Sequence, residues 1–455
     1  MAFDWERLLN QDRRRPTTKV SEDKRSEFDR DYDRLVSSSS LRRLQDKTQV
    51  FPLEHHDFIR TRLTHSLEVS TLGRSFGVDV VRTLAKKGIE ELTGHVDQIA
   101  AILSTVCLAH DIGNPPFGHF GESAIRSWFD KHARSFSLTD SQKHDLVGFE
   151  GNAQGFRIIT YLQSLNDQYG MNFTFGTLAS FLKYTASSLE VDTSAGKSKQ
   201  KVGYFTSEKS IFDEVQERTD LKGARHPLAF LMEASDDIMY CTVDLEDGLK
   251  KGVVKFDSIC DNLENELRGT DHHFLLERVR KVFRDRQAEG WSIREAEQIA
   301  CINLKIWAIG VMFRACVDAF VDNYRAIMSG EFDKSLITAS SASNLQAVLI
   351  RVAREHVYSS SVVTMLEVVG ARVIQGLFSH FVPAVMSEKR EDATCLEGKV
   401  FRVISESLRT LNRIHGRRLS DDYDRLQLVT DFISRMTDSY ALNLYRRLEG
   451  MQLDF

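Results

Sequence analysis

Proline is scarce in this chain, 6 in 455 residues, and long stretches of helical hydrophobic period run where a loop-rich chain would be broken. A mostly α structure is therefore expected. Cysteine is as sparse: Cys107, Cys241, Cys260, Cys301, Cys316 and Cys395 are dispersed without a CxxC pair, so no disulfide framework is signalled and a reducing cytoplasm fits best. No signal-peptide pattern and no apolar run of spanning length is read, so a cytoplasmic protein without a membrane partner is expected. Neither sign of charge dominates. The 60 Lys and Arg against 65 Asp and Glu leave a formal net charge of −5, which argues against a dedicated nucleic-acid binder while leaving room for a local basic patch. There is no GxxxxGK, GxGxxG or GxSxG string and no internal repeat, so kinase-type, dinucleotide-binding and serine-hydrolase chemistries lack support.

What is present is concentrated in residues 108–122, LAHDIGNPPFGHFGE. Before this stretch, Ile99, Ile102, Leu103, Val106 and Cys107 recur at helical spacing, which predicts an amphipathic helix carrying His110 inward on its apolar face. Gly113, Pro115 and Pro116 stop that helix just after Asp111. A buried His-Asp pair needs a partner. It is either a capping aspartate beside a satisfied core histidine or part of a divalent-metal site, since imidazole and carboxylate are both ligands and the ion offsets the cost of burying the carboxylate. A second helix is predicted over residues 117–128, with His119 and Glu122 three apart on one face. A carboxylate beside a histidine fixes its tautomer and raises its basicity, so this pair is the acid/base candidate.

Two further stretches supply companions. In RTRLTHSLEV, Arg62 and His65 are again three apart. In PLAFLMEASDDIMYCTVDLEDGLKKG, Pro227 suits a helix start, and Asp236, Tyr240 and Asp244 recur every four residues along one face. Three helices can thus present His65, His110, Asp111 and Asp236 to a single point.

The order H…HD…D resembles the HD-domain phosphohydrolases. The longer strings RRLQDKTQVFPLE, RTRLTHSLEV, AHDIGNPPFGHFGE, EASDDIMYCTVDLED and MTDSYAL, spread from residue 42 to residue 442, are similar to the deoxyguanosine triphosphate triphosphohydrolases within that superfamily. This resemblance implies a helical HD-domain bundle with additional helices and a small irregular or β-containing insertion. Residues 1–60 would form an arm and substrate-binding segment, 61–250 the metal-binding core with an insertion near 170–225, and 251–455 a helical region packed on it.

The resemblance further implies metal-dependent hydrolysis of dGTP or other dNTPs at the α-phosphorus, giving deoxynucleoside and tripolyphosphate. The ion would be Mn²⁺ or Mg²⁺, with histidine ligation favouring Mn²⁺. Gln49, chosen over Gln45 by its spacing to His65, is assigned to the sugar 3′-hydroxyl. Lys183, Tyr184, Lys201 and Tyr204 are assigned to the triphosphate, and Asn114 joins the substrate-binding set. Arg62 would hold a phosphate through its fork of donors, Tyr240 would lie under the deoxyribose and exclude a 2′-hydroxyl, and Asp244 would accept from the 3′-hydroxyl. A homo-oligomer is expected, with single-stranded DNA or a dNTP as possible effectors. Two alternatives stand beside this: another HD-type 5′-nucleotidase or phosphodiesterase, which would not need Tyr240 and Asp244, and a nucleotide- or DNA-responsive binding protein with secondary hydrolysis.

Elsewhere, the arginine cluster at residues 13–15 reads as a solvated surface arm, or as a contact to a neighbouring subunit or phosphate. Alternating charges at residues 23–34 predict an exposed helix, and residues 172–175 a short β-like run. Residues 189–203 read as mobile before the site fills, Arg314 as reaching inward toward phosphate, His55 and His56 as non-ligands, and residues 416–419 as a basic turn.

Overall fold

The computed structural model describes residues 2–15, 23–53, 58–163, 168–414 and 419–451; His55, His56 and most of the predicted basic turn lie outside these. Among the described residues the chain is helical with no strand, and three isolated bridges are the only β pairings. One buried apolar cluster runs from Trp5 to Ala441.

Three helices build the centre. Arg62–Lys86 starts in a capping box in which Thr61 accepts from the Thr64 N–H. Its small residues let the next helix, Val96–Ala109, come close: a Cβ on Gly73 would stand 2.3 Å from Cys107 Sγ. That second helix is not one-faced, as its periodicity predicts. Every residue from Ile99 to Ala109 is buried, because helices Glu27–Val36, Arg62–Lys86, Phe175–Phe181 and Pro227–Lys251 enclose it. The third helix, Pro227–Lys251, takes proline at its first turn and ends at Gly252, whose φ of 80° suits a residue without Cβ.

Several local expectations change. The N-terminal segment is not a solvated arm: Trp5–Leu8 is helical, with Trp5, Leu8 and Leu9 buried. Arg13 is buried within the chain, pairing with Asp31 at 2.5 Å and Glu27 at 2.8 Å, so it does not serve a neighbouring subunit or a phosphate. The Glu27–Val36 helix therefore has an inner face, with Phe28, Asp31 and Leu35 buried. The β-like run instead caps a helix: Thr174 accepts from the Thr177 N–H ahead of Phe175–Phe181, and only Thr174 bridges, to Arg13. The insertion has no strand among the described residues: between the helices Phe175–Phe181 and Lys209–Thr219 it is irregular, with one isolated bridge from Ala186 to Val202. Residues 197 and 198 in it are held by Asp333, whose carboxylate accepts the Ser198 N–H at 2.9 Å and hydroxyl at 2.6 Å. Arg314 is exposed and does not reach inward.

Two helices, Ile293–Asp322 and Ser361–Met386, are long and apolar enough to cross a membrane by length and composition alone. This corrects the expectation of no such run. Here they are packing helices. The first lies along Pro227–Lys251, with its Lys305 2.6 Å from Glu246, and the second lies against Gly118–His132.

Candidate metal and nucleotide site

The three central helices meet at the floor of a cleft of roughly 510 Å³, within the usual range for a small-molecule site. His65 lies in the first turn of its helix, one turn after Arg62. His110 follows the last residue of Val96–Ala109 in helical conformation, and Asp111 comes next. Asp236 lies in the middle of Pro227–Lys251.

These four converge. Asp236 Oδ1 stands 3.3 Å from His65 Nε2 and 3.4 Å from His110 Nε2, while Asp111 Oδ1 is 3.5 Å from His110 Nε2. Donor atoms of His65, His110 and Asp111 all fit within 4.8 Å of one another. His110 Nδ1 is 2.6 Å from the Cys107 carbonyl, an arrangement that keeps a proton on Nδ1 and turns Nε2 toward the carboxylates. That Nε2 is buried without a hydrogen bond. An orphaned buried imidazole nitrogen between two carboxylates is the donor set a divalent ion requires.

The electrostatics agree. Burial opposes charge on His110, yet Asp111 and Asp236 raise its pKa to about 9. Burial likewise opposes ionisation of Asp236, but His110, His65 and Lys183 hold its carboxyl well below the usual range. Asp111 is held down against burial by Arg62 and the two histidines. Two ionised carboxylates thus face His65 and His110, and a divalent cation held between them would take the place of the proton they draw onto His110.

Gln49, Arg62 and Asn114 gather round Asp111. Gln49 Nε2 and Arg62 Nη1 each donate to Oδ2 at 2.8 Å, and Asn114 Nδ2 donates to Oδ1. In this state all three orient the carboxylate while still lining the cleft.

Phe117, with φ of 64°, turns the chain after the proline break, and the next helix runs Gly118–His132, starting one residue later than predicted and ending later. His119 stands on the rim, its side chain 76% exposed, with Nδ1 3.1 Å from Oε2 of the buried Glu122. Burial works against charge on Glu122, but the bond to His119 with Lys201 and Arg126 nearby hold its carboxyl below the ordinary range. Glu122 Oε1 also accepts the Gly151 N–H at 2.8 Å. A fixed, ionised carboxylate thus holds a histidine that is free to meet a ligand.

Along the Asp236 helix, half-buried Tyr240 and buried Asp244 line the same cleft. Burial pushes Asp244 up to about 7, against a hydrogen bond donated by Tyr358 and the nearby His65. Lys183, Tyr184 and Lys201 also face the cleft. Lys183 Nζ is 3.5 Å from Asp236 and Lys201 Nζ 3.1 Å from Glu150. Tyr204 does not join them; its ring stacks on Phe212 at 4.0 Å.

The cleft also takes in residues that sequence pattern passed over: Asp237, Glu150, Asn152 and Tyr358. The Asp-Asp dipeptide at 236–237 was a usable signal for the first. Nothing local marks Tyr358, which reaches Asp244 from 114 residues away.

A helical body that brings two histidines and two aspartates to one point is the architecture of the HD-domain phosphohydrolases. Residues 336–447 match the phosphohydrolase-associated domain model. The chain is 40% identical to a deoxyguanosinetriphosphate triphosphohydrolase-like protein of Listeria innocua, over 98% of this chain and 99% of the relative. A similarly named protein of Synechocystis sp. is 36% identical, over 99% of this chain and 100% of its own length. The deoxyguanosinetriphosphate triphosphohydrolase of Serratia proteamaculans is 32% identical, over 93% of each. The chain belongs to this deoxyguanosinetriphosphate triphosphohydrolase family of enzymes.

Proposed function

We propose that the protein hydrolyses deoxynucleoside triphosphates, with dGTP the expected nucleotide, in a reaction that depends on Mn²⁺ or Mg²⁺. The observation that carries this is the convergence of His65, His110, Asp111 and Asp236 at the floor of the cleft, with Tyr240 and Asp244 on the same helix beyond Asp236. Those four residues would hold the ion. When bound, it supplies Lewis-acid chemistry, polarising a phosphoryl oxygen and offsetting charge that develops there.

The chain's own groups do the rest. Lys183, Lys201 and Tyr184 face the cleft where a triphosphate would lie, and Arg62 adds a guanidinium beside Asp111. With the α-phosphate near Asp236, the sugar lies along Tyr240, whose ring leaves no room for a 2′-hydroxyl, while Asp244 and Gln49 take the 3′-hydroxyl. Water adds its oxygen to the α-phosphorus as the bond to the 5′-oxygen breaks, releasing deoxynucleoside and intact tripolyphosphate. His119, held through Nδ1 by Glu122, moves a proton at Nε2 for the water or the departing 5′-oxygen. Residues 61–250 carry this chemistry, residues 1–60 supply Gln49, and residues 251–455 pack on the core.

Self-association belongs to the same proposal, supported by the exposed apolar side chains Val362, Met365 and Val368 on the helix Ser361–Met386, and sedimentation of the purified chain tests it. The activity is tested with a panel of dNTPs and NTPs, with Mn²⁺ or Mg²⁺ and with chelator, the products separated as tripolyphosphate, pyrophosphate or orthophosphate. Tripolyphosphate from dGTP is expected. Orthophosphate from a nucleoside monophosphate, with dGTP untouched, would point instead to a nucleotidase.

A further inference from the structure

Gln49 and His119 reach the cleft from two segments that share one anchor far away in sequence. The anchor is Asp438, in the first turn of the C-terminal helix Asp438–Leu448 and 1% exposed. Its Oδ1 accepts the Phe117 N–H at 2.9 Å, and its Oδ2 accepts the Thr48 N–H at 3.2 Å and hydroxyl at 3.1 Å. Thr48 immediately precedes Gln49. Phe117 sets the entry to the His119 helix in a left-handed conformation that a bulky residue adopts only when its surroundings impose it. The surroundings do so twice, through the Asp438 carboxylate and through Gly370, where a Cβ would come within 2.8 Å of the Phe117 ring. Lys47 completes the brace. Its buried Nζ donates to the Asn114 carbonyl at 2.5 Å and the Ser434 carbonyl at 2.9 Å, and its own carbonyl accepts the Arg62 N–H at 2.7 Å.

We infer that Asp438 is a positioning residue for the reaction: one carboxylate, 390 residues from Thr48 and 321 from Phe117, fixes the distance between the Gln49 side of the cleft and the His119 side. A proton carrier and a sugar contact on separate segments must keep a constant spacing for the reacting atoms to align, and a misplacement of about 1 Å costs up to roughly a hundredfold in rate. The two carboxylate oxygens meet that need directly, each holding one segment.

This inference rests on the proposed hydrolysis for its kinetic consequence, though not for its structural one, so the test has two arms. Asp438→Asn keeps the shape but cannot serve both segments as a charged acceptor. Amide hydrogen exchange followed by mass spectrometry is expected to rise in peptides covering residues 47–50 and 114–119, with exchange in the Pro227–Lys251 helix unchanged. In the kinetic arm, kcat for dGTP is expected to fall about tenfold or more with KM moving less than about threefold, and in a His119→Ala background the same substitution should cost less than about threefold. Thr48→Val, which removes one bond and leaves the others, should show the same pattern more weakly, and it replaces Asp438→Asn if that variant does not fold. Equal losses in both backgrounds, or exchange rising throughout the molecule, would make Asp438 a stability residue and overturn the inference. Failure of the wild-type protein to hydrolyse any dNTP would remove the proposed function, leaving the exchange arm to decide on Asp438.

Discussion

His65 Nε2 and Asp236 Oδ1 lie 3.3 Å apart although 171 residues separate them. A buried imidazole and carboxylate at that distance, with a second histidine 3.4 Å from the same oxygen, leave a position where one divalent ion replaces the proton that the carboxylates otherwise draw onto His110. Asp236→Asn and Asp111→Ala are accordingly expected to abolish bound Mn²⁺ and activity together, since each removes a ligand and leaves its imidazole neighbours less compensated. Metal content of the purified variants by mass spectrometry checks this. Full metal occupancy in either variant would remove that residue from the ligand set.

The exposure of His119 beside a buried Glu122 separates chemistry from binding. His119→Ala should lower kcat by roughly a hundredfold or more, the range of a positioned proton carrier, with metal content unchanged. Glu122→Gln should fall in the same direction by less, because it orients the ring and carries no proton itself. Near-normal turnover in His119→Ala would assign the proton transfer elsewhere.

Much of the site was legible before any fold was known, and the reason is local. His65, His110 and Asp236 sit on helices whose hydrophobic period and stop signals are strong, and the Pro115-Pro116 break isolates the His119 helix from the Asp111 turn. Residues contributed by tertiary packing left no such trace. Tyr358 reaches Asp244 from a distant helix, and no spacing rule connects it to the site; Asp438 falls in the MTDSYAL string, but only the fold shows its bonds to Thr48 and Phe117. Where burial overrode pattern, expectation failed as well: the Val96–Ala109 helix is buried on every face from Ile99 onward, and the polar N-terminal segment is drawn inward because Arg13 finds Asp31 and Glu27. The alternating Asn-Phe-Thr-Phe at residues 172–175 is too short for its period to tell a strand from the start of a helix.

Glu246 makes stability depend on pH in a stated direction. Burial opposes its ionisation, but Lys250 and Lys305 at 2.6 Å, with Arg60 at 2.7 Å, hold its carboxyl at about 2, below the ordinary 4.5. A carboxyl lowered on folding contributes stability that is fully present above its unfolded value and is lost as pH falls through the folded one. Glu246→Gln should therefore lower unfolding free energy by about 2 to 3 kcal/mol at pH 7, and the gap from the wild type should shrink from pH 4.5 toward pH 2. Urea unfolding across that range measures it. A gap that stays constant to the acid end would mean the loss comes from packing and not from charge.

Sugar choice is where Tyr240 and Asp244 are tested. Successive residues four apart on a helix are displaced by about 6 Å along the axis, so a nucleotide with its α-phosphate near Asp236 lays its deoxyribose on Tyr240 and its 3′-hydroxyl toward Asp244. Tyr240→Ala should open space for a 2′-hydroxyl and narrow the preference for dGTP over GTP. Asp244→Ala should weaken both nucleotides by roughly 1 to 3 kcal/mol, the cost of a lost acceptor that also strands the Tyr358 hydroxyl. Because burial raises the Asp244 pKa to about 7, its carboxylate accepts fully only above that value, so kcat/KM for dGTP in the wild type should fall as the pH drops below 7 through loss of this contact. For 2′,3′-dideoxy-GTP, which has no 3′-hydroxyl to donate, that part of the fall should be missing. Ratios of kcat/KM for dGTP, GTP and the dideoxy analogue in both variants decide the matter. An unchanged dGTP to GTP ratio in a folded Tyr240→Ala protein would show that the deoxyribose is selected by other side chains.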